Sequence, residues 1–113
     1  MAAIKPMTAQ AFFVLAALAD APRHGYGIVR EVAELSHERV KLKIGGLYGV
    51  LDRLAAEKLI EPDREEAHDG RLRRYYRLTR GGRLALAEEA DLRASTARVV
   101  RSRLGLPGTE AAR

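Results

Sequence analysis

The feature that most constrains this chain is a change of period in its apolar residues between positions 44 and 78. Ile44, Leu47, Leu51 and Leu54 recur at three- and four-residue spacing, which lines them along one stripe of a helix from about Gly45 to Lys58. The stretches Leu59 to Glu66 and Leu72 to Leu78 then bracket Asp69-Gly70, a dipeptide suited to the positive backbone angles of a tight hairpin, so two antiparallel strands are expected. In the second strand Leu72, Arg74, Tyr76 and Leu78 share one face, with Arg71, Arg73, Tyr75 and Arg77 on the other. Tyr76 and Leu78 are read as core. Pro62 has no ladder donor and so belongs at an edge.

The flanking segments extend this pattern. Thr8 is placed to cap a first helix from Ala9 to Asp20 that is apolar nearly all round and is therefore buried on two sides, with Phe12 or Phe13 facing a second copy of the chain. Pro22 and Gly25 interrupt it. A second helix runs from about Tyr26 to Leu35, with Ile28, Val32 and Leu35 on one side, and His24 orders its start. Ser36 to Leu42 reads as a connector. After the hairpin Thr79 caps a long helix, Arg80 to Leu104, which Gly105 and Pro107 end. Three helices, a two-stranded hairpin and a long helix give a mainly α fold with a β wing, the order of a winged helix-turn-helix with a C-terminal helix. The expected division is a winged domain over 1–79, a dimerisation helix over 80–105 and a disordered tail over 106–113.

Composition limits the alternatives. The 113 residues suffice for one modest core, and 20 Lys and Arg against 15 Asp and Glu leave a charge of +5, which suits a nucleic-acid partner. The absence of cysteine removes disulfides and thiolate chemistry and agrees with a cytoplasmic location. The longest apolar run, Ala11 to Ala19, is too short to span a bilayer, so no membrane is expected. His24, His37 and His68 lack metal-ligand spacing, and adjacent strand residues such as Glu65 and Glu66 point to opposite faces. Neither a metal, another cofactor nor an enzymatic reaction is expected.

Three segments resemble the PadR family of bacterial transcriptional regulators: His24-Gly25-Tyr26-Gly27-Ile28, Gly45-Gly46-Leu47-Tyr48-Gly49-Val50-Leu51-Asp52-Arg53-Leu54, and Arg73-Arg74-Tyr75-Tyr76-Arg77-Leu78-Thr79-Arg80-Gly81-Gly82. Their order and separation carry the resemblance. Gly46 stands where the family usually has Thr, and Lys58 where it usually has Gly. The resemblance implies a repressor that binds double-stranded DNA as a homodimer, with its C-terminal helix packed near the partner's first helix, and that responds to small molecules.

DNA reading needs a thin helix that can enter the major groove and carries groups for phosphates or base edges. The third helix offers Gly45, Gly46 and Gly49, with Lys41, Lys43, Tyr48 and Arg53 around its start and exposed side. The bland alternative makes Gly45 and Gly46 a turn and packs Tyr48 into the core. Six arginines, Arg71, Arg73, Arg74, Arg77, Arg80 and Arg83, crowd the wing and the turn after it. Glu61, Asp63, Glu65 and Glu66 on the preceding strand are placed to neutralise some of them, leaving Arg71 and Arg73 near the tip for phosphate contact. Leu86, Ala90, Ala94, Ala97, Val100 and Leu104 form a stripe on the last helix. At about 37 Å that helix overshoots a small core and calls for a partner chain. Phe12, Phe13 and Ala16 complete the expected dimer interface, where a small hydrophobic or aromatic effector is expected to sit. The rival function is a winged-helix protein interaction module that does not touch DNA.

Overall fold

The computed structural model describes residues 6–107, arranged as α1 (Ala9–Ala17), β1 (Arg23–His24), α2 (Gly25–Leu35), α3 (Ile44–Ala56), β2 (Ile60–His68), β3 (Arg71–Leu78) and α4 (Arg80–Arg103). The stretch from Gly108, to which the sequence assigned disorder, lies outside the described residues. Leu106 and Pro107 fold back on the end of α4: the Leu106 amide donates to the Arg101 carbonyl, and Arg101 Nε to the Pro107 carbonyl at 2.7 Å.

Each helix starts where a side chain caps it or a local turn allows it. Thr8 Oγ1 accepts the Ala11 amide at 3.0 Å and starts α1. That helix stops at Ala17 rather than Asp20. The Leu18 and Ala19 amides turn back to the Leu15 and Ala16 carbonyls in a tighter i→i+3 pattern, and Arg23 Nε takes up the Ala17 carbonyl at 2.7 Å. His24 Nδ1 accepts the Gly27 amide and caps α2, one residue earlier than the expected Tyr26 start. Helix α3 begins at Ile44 on Lys43, which makes no side-chain cap bond, and ends at Ala56 rather than Lys58.

The core gathers Val14, Leu15 and Leu18 of the first helix and its turn, Ile28 and Val32 of α2, Leu47, Leu51 and Leu54 of α3, and Ile60, Tyr76 and Leu78 of the sheet. Burying each large aliphatic side chain contributes about 1.5–3 kcal/mol. Two positions on the apolar sides of their elements stay outside the core. Leu35 is 42% exposed because α2 ends there, while Leu42 of the connector is buried instead. Leu72 shares the strand face of Tyr76 and Leu78 but is 68% exposed, since the hairpin runs beyond the core before it turns.

The sheet has three strands, not two, in the antiparallel order β1-β3-β2. Arg23 and His24 pair with Tyr76 and Tyr75. This leaves β2 as an edge, where Pro62 sits, and the register shifts between Pro62 and Glu65.

One joint ties α3, the wing and α4 together. Lys58 adopts φ 64°, its amide donating to Ala55 and the Leu59 amide to Leu54, the paired bonds of a helix C-terminus that ordinarily favours glycine. The Thr79 hydroxyl donates to the Lys58 carbonyl at 2.7 Å and accepts the Gly82 amide at 2.9 Å. Helix α4 starts so close to this turn that a Cβ on Gly82 would overlap the Leu59 carbonyl oxygen. Further along, α4 leaves its own domain: from Ala94 to Leu104 every residue except Arg101 is exposed.

Candidate nucleic-acid interface

The exposed side of α3 follows from its stripe. With Leu47, Val50, Leu51 and Leu54 turned inward, helical spacing puts Gly45, Gly46, Gly49 and Arg53 outward. A Cβ built on Gly45, Gly46 or Gly49 would meet nothing within 4 Å. These glycines therefore answer no packing demand of the chain itself, although a mid-helix glycine costs about 1 kcal/mol relative to alanine. Lys41 and Lys43 are exposed ahead of the helix, Lys41 lying 3.7 Å from Glu38. Tyr48 is 45% exposed, and its hydroxyl oxygen would lie 3.1 Å from a Cβ on Gly25, so its ring leans over the start of α2. Arg53, one turn after Gly49, lines a cavity with Met7, Ala11, Leu59 and Ala85.

The wing arginines divide into two groups. Arg77 bonds Glu61 at 2.9 Å and Asp63 at 3.0 Å, and Arg74 bonds Glu65 at 3.3 Å. Arg64, on the acidic strand itself, bonds Glu66 at 2.7 Å and Asp63 at 2.8 Å and lies 4.0 Å from the Tyr75 ring centroid. These contacts favour the charged forms of the groups. The Arg64 guanidinium, then Arg77, holds Asp63 below the usual carboxylate range, and Arg64 followed by the Tyr75 hydroxyl does the same for Glu66. The arginines in these pairs are solvent-exposed, although the Asp63 side chain is only 16% exposed, and such pairs set geometry more than stability. Among the described residues Arg71 meets no carboxylate, and the side-chain partner of Arg73 is His24, with Nη1 3.1 Å from Nε2.

His24 thus joins the surfaces. It neighbours Gly25, over which Tyr48 leans, and it faces Arg73 of the wing, so the start of α2 meets both Tyr48 and Arg73. The sequence reading did not include Tyr26, 56% exposed on the first turn of α2, or the exposed Arg30 one turn further on. Their signal is the His-Gly-Tyr-Gly segment, which in the sequence marks the start of α2 and the family resemblance but no contact surface.

The residues expected at a dimer interface fall into two sets. Phe13 and Leu86 pack partly against the chain's own core, Ala16 is half-buried, and the Phe12 ring meets Phe13 edge-on while Arg93 covers it at 4.1 Å. Ala90, Ala94, Ala97, Val100 and Leu104 are exposed on α4. Leu84, Leu92 and Val99, also exposed on α4, were absent from the expected stripe. Among the described residues no helix is long and apolar enough to cross a membrane.

Three helices, a hairpin wing and a long last helix define a winged helix-turn-helix protein. The family described as "Transcriptional regulator PadR-like family" matches residues 14–88, and the chain belongs to that family. An uncharacterised 37.1 kDa protein in a transposon of Streptomyces fradiae is 46% identical over 77 residues, 68% of this chain but only 21% of that protein. A transcriptional regulator of Mycobacterium tuberculosis is 39% identical over 71 residues, 63% of each chain. The crystal structure of a PadR-like transcriptional regulator from Bacillus cereus aligns with TM-score 0.70 and 25% identity, covering 84% of this chain and 90% of that one. Bacillus subtilis PadR in complex with operator DNA aligns at TM-score 0.65 and 21% identity over 74% of this chain and 47% of that one, a likeness of fold.

Proposed function

We propose that this chain is a sequence-specific, DNA-binding transcriptional repressor that acts as a cytoplasmic homodimer on a roughly palindromic operator. The observation that carries the reading is the bare face of α3, where three glycines expose backbone with no neighbour in the chain to require it. A helix that must approach base edges closely in the major groove gives that face a use. The wing supplies the complementary chemistry. Arg71 and Arg73, left without carboxylates by the strand that neutralises Arg74 and Arg77, are the phosphate contacts, with Lys41 and Lys43 beside α3. The family membership and the operator complex of the Bacillus subtilis relative support the same reading.

Residues 1–79 form the DNA-binding unit and 80–105 the dimerisation helix. The exposed Leu92, Val99, Val100 and Leu104 support this division, since a second copy is the partner that makes a two-fold operator useful. A small hydrophobic or aromatic effector held near Phe12, Phe13 and Ala16 relieves repression by favouring a dimer geometry that mismatches the operator.

A gel-shift with the DNA upstream of its own gene tests the function. A discrete complex that survives excess unrelated duplex is expected. Retardation lost equally to any competitor, or none, would overturn sequence-specific binding and leave the protein-interaction reading.

A further inference from the structure

We propose that His24 is a relay between the wing and α2: its ring is contested by Arg73 and the Gly27 amide while the wing is free, and becomes the α2 cap alone when a DNA phosphate takes up Arg73. The inference rests on the reading of the wing as a phosphate contact.

The argument begins with the ring's capacity. A neutral imidazole has one acceptor nitrogen and one donor N–H. In this structure both nitrogens face donors, the Gly27 amide 3.3 Å from Nδ1 and Arg73 Nη1 3.1 Å from Nε2. With the proton on Nε2, the ring caps α2 and turns an N–H toward the guanidinium. With the proton on Nδ1, it accepts from Arg73 and turns an N–H toward the amide. Two donors compete for one lone pair, and a charged ring serves neither.

The ring is held in this competition. Its backbone pairs with Tyr75 in the sheet, and its face meets the Tyr75 ring edge-on with centroids 5.2 Å apart. Besides Tyr75, the charged and titratable groups around it include Arg73 of β3, Arg30 of α2, and His68 and Glu66 of β2. Burial, then Arg73, Arg30 and His68, hold its pKa below the ordinary value, with only Glu66 opposing, so the neutral ring is favoured.

The two donors are not equivalent. The Gly27 amide is fixed in the first turn of α2, whereas the half-buried Arg73 ends a long, flexible side chain on the hairpin and can exchange the ring for a phosphate oxygen, a stronger, charge-assisted acceptor. Once it does, the lone pair passes to the amide. Phosphate contact at the wing is thereby felt at the start of the helix over which Tyr48 leans.

Nitrogen NMR of the ¹⁵N-labelled full-length protein above neutral pH distinguishes a bare ring nitrogen from a protonated one, and His24→Asn, which keeps a capping oxygen, identifies the His24 signals among those of the three histidines. The free protein is expected to show both nitrogens at averaged positions. Arg73→Ala should move Nδ1 to the bare and Nε2 to the protonated position without DNA. A mixed-sequence synthetic duplex should move them in the same direction, with binding followed by anisotropy in the same sample. A ring already fixed in the capping form, or one unmoved by Arg73→Ala, would overturn the competition. A ring unmoved by a duplex that anisotropy shows to be bound would overturn the relay while leaving the DNA reading intact. A duplex that fails to bind at all overturns the DNA reading, and the relay with it.

Discussion

Helix α3 and the wing are both exposed, and they expose opposite things. The helix presents glycine backbone with little charge, at Gly45, Gly46 and Gly49, whereas the wing presents charge on long side chains, part of it spent on Glu61, Asp63 and Glu65. A surface without side chains gains nothing from a distant phosphate but can approach a base edge. A surface of flexible guanidiniums can hold any phosphate but discriminates poorly. Under the proposed function the two regions divide reading from positioning, and this division can be broken at several points.

The largest effect is expected from separating the two copies of the proposed homodimer. Leu92→Asp with Val99→Asp puts charge on the exposed apolar face of α4 and should yield a folded monomer by ultracentrifugation. Operator affinity should fall by about 100-fold or more, because the second half-site no longer binds at high effective concentration. A dimer that persists would move the interface away from this face.

Gly49→Ala should separate stability from function. The new Cβ meets nothing within 4 Å, so the fold should gain about 0.5–1 kcal/mol in a denaturant titration. The same methyl lies on the face proposed to read bases and should cost about 1–3 kcal/mol of operator affinity. A variant that is both more stable and fully active would remove the case for close approach.

A smaller effect is expected from pH. The folded pKa of His24 is lowered, so the unfolded chain binds the proton more readily. The neutral ring's contribution is fully present above the ordinary value of 6.5 and is lost as pH falls through it toward the lower folded value. Melting temperature should therefore decline over that window, and His24→Asn should flatten the decline. Smallest is Lys58→Gly, which relieves a φ of 64° and should stabilise the fold by about 0.5–1 kcal/mol with no change in DNA binding.

The elements legible in the sequence were those with a long periodic signal. The α3 stripe, the Asp69-Gly70 hairpin and the capping threonines Thr8 and Thr79 all stand where their patterns place them. Strand β1 was not legible because two residues, Arg23 and His24, carry no alternation, and its existence depends on Tyr75 and Tyr76 some fifty positions away. Gly82 is one of ten glycines in the sequence, and only its approach to Leu59 in the fold shows why a side chain does not fit there. On the candidate site, the open glycines of α3 and the acidic strand facing the wing were visible as patterns. Which arginine takes which carboxylate was not, because the register shift after Pro62 decides the pairing. The junction of His24, Tyr48 and Arg73 is long-range and left no local trace.

The most direct measurement titrates Arg71→Ala and Gly46→Leu on operator and scrambled duplex over a series of salt concentrations, with folding followed by circular dichroism. Arg71→Ala should weaken both DNAs alike and lower the salt slope by about one to two units per dimer, since two wings each release counterions, and operator preference should survive. Gly46→Leu should erase operator preference and leave weak, salt-sensitive binding. If Arg71→Ala leaves affinity and slope unchanged, or Gly46→Leu leaves operator preference intact, the division between a positioning wing and a reading helix is wrong.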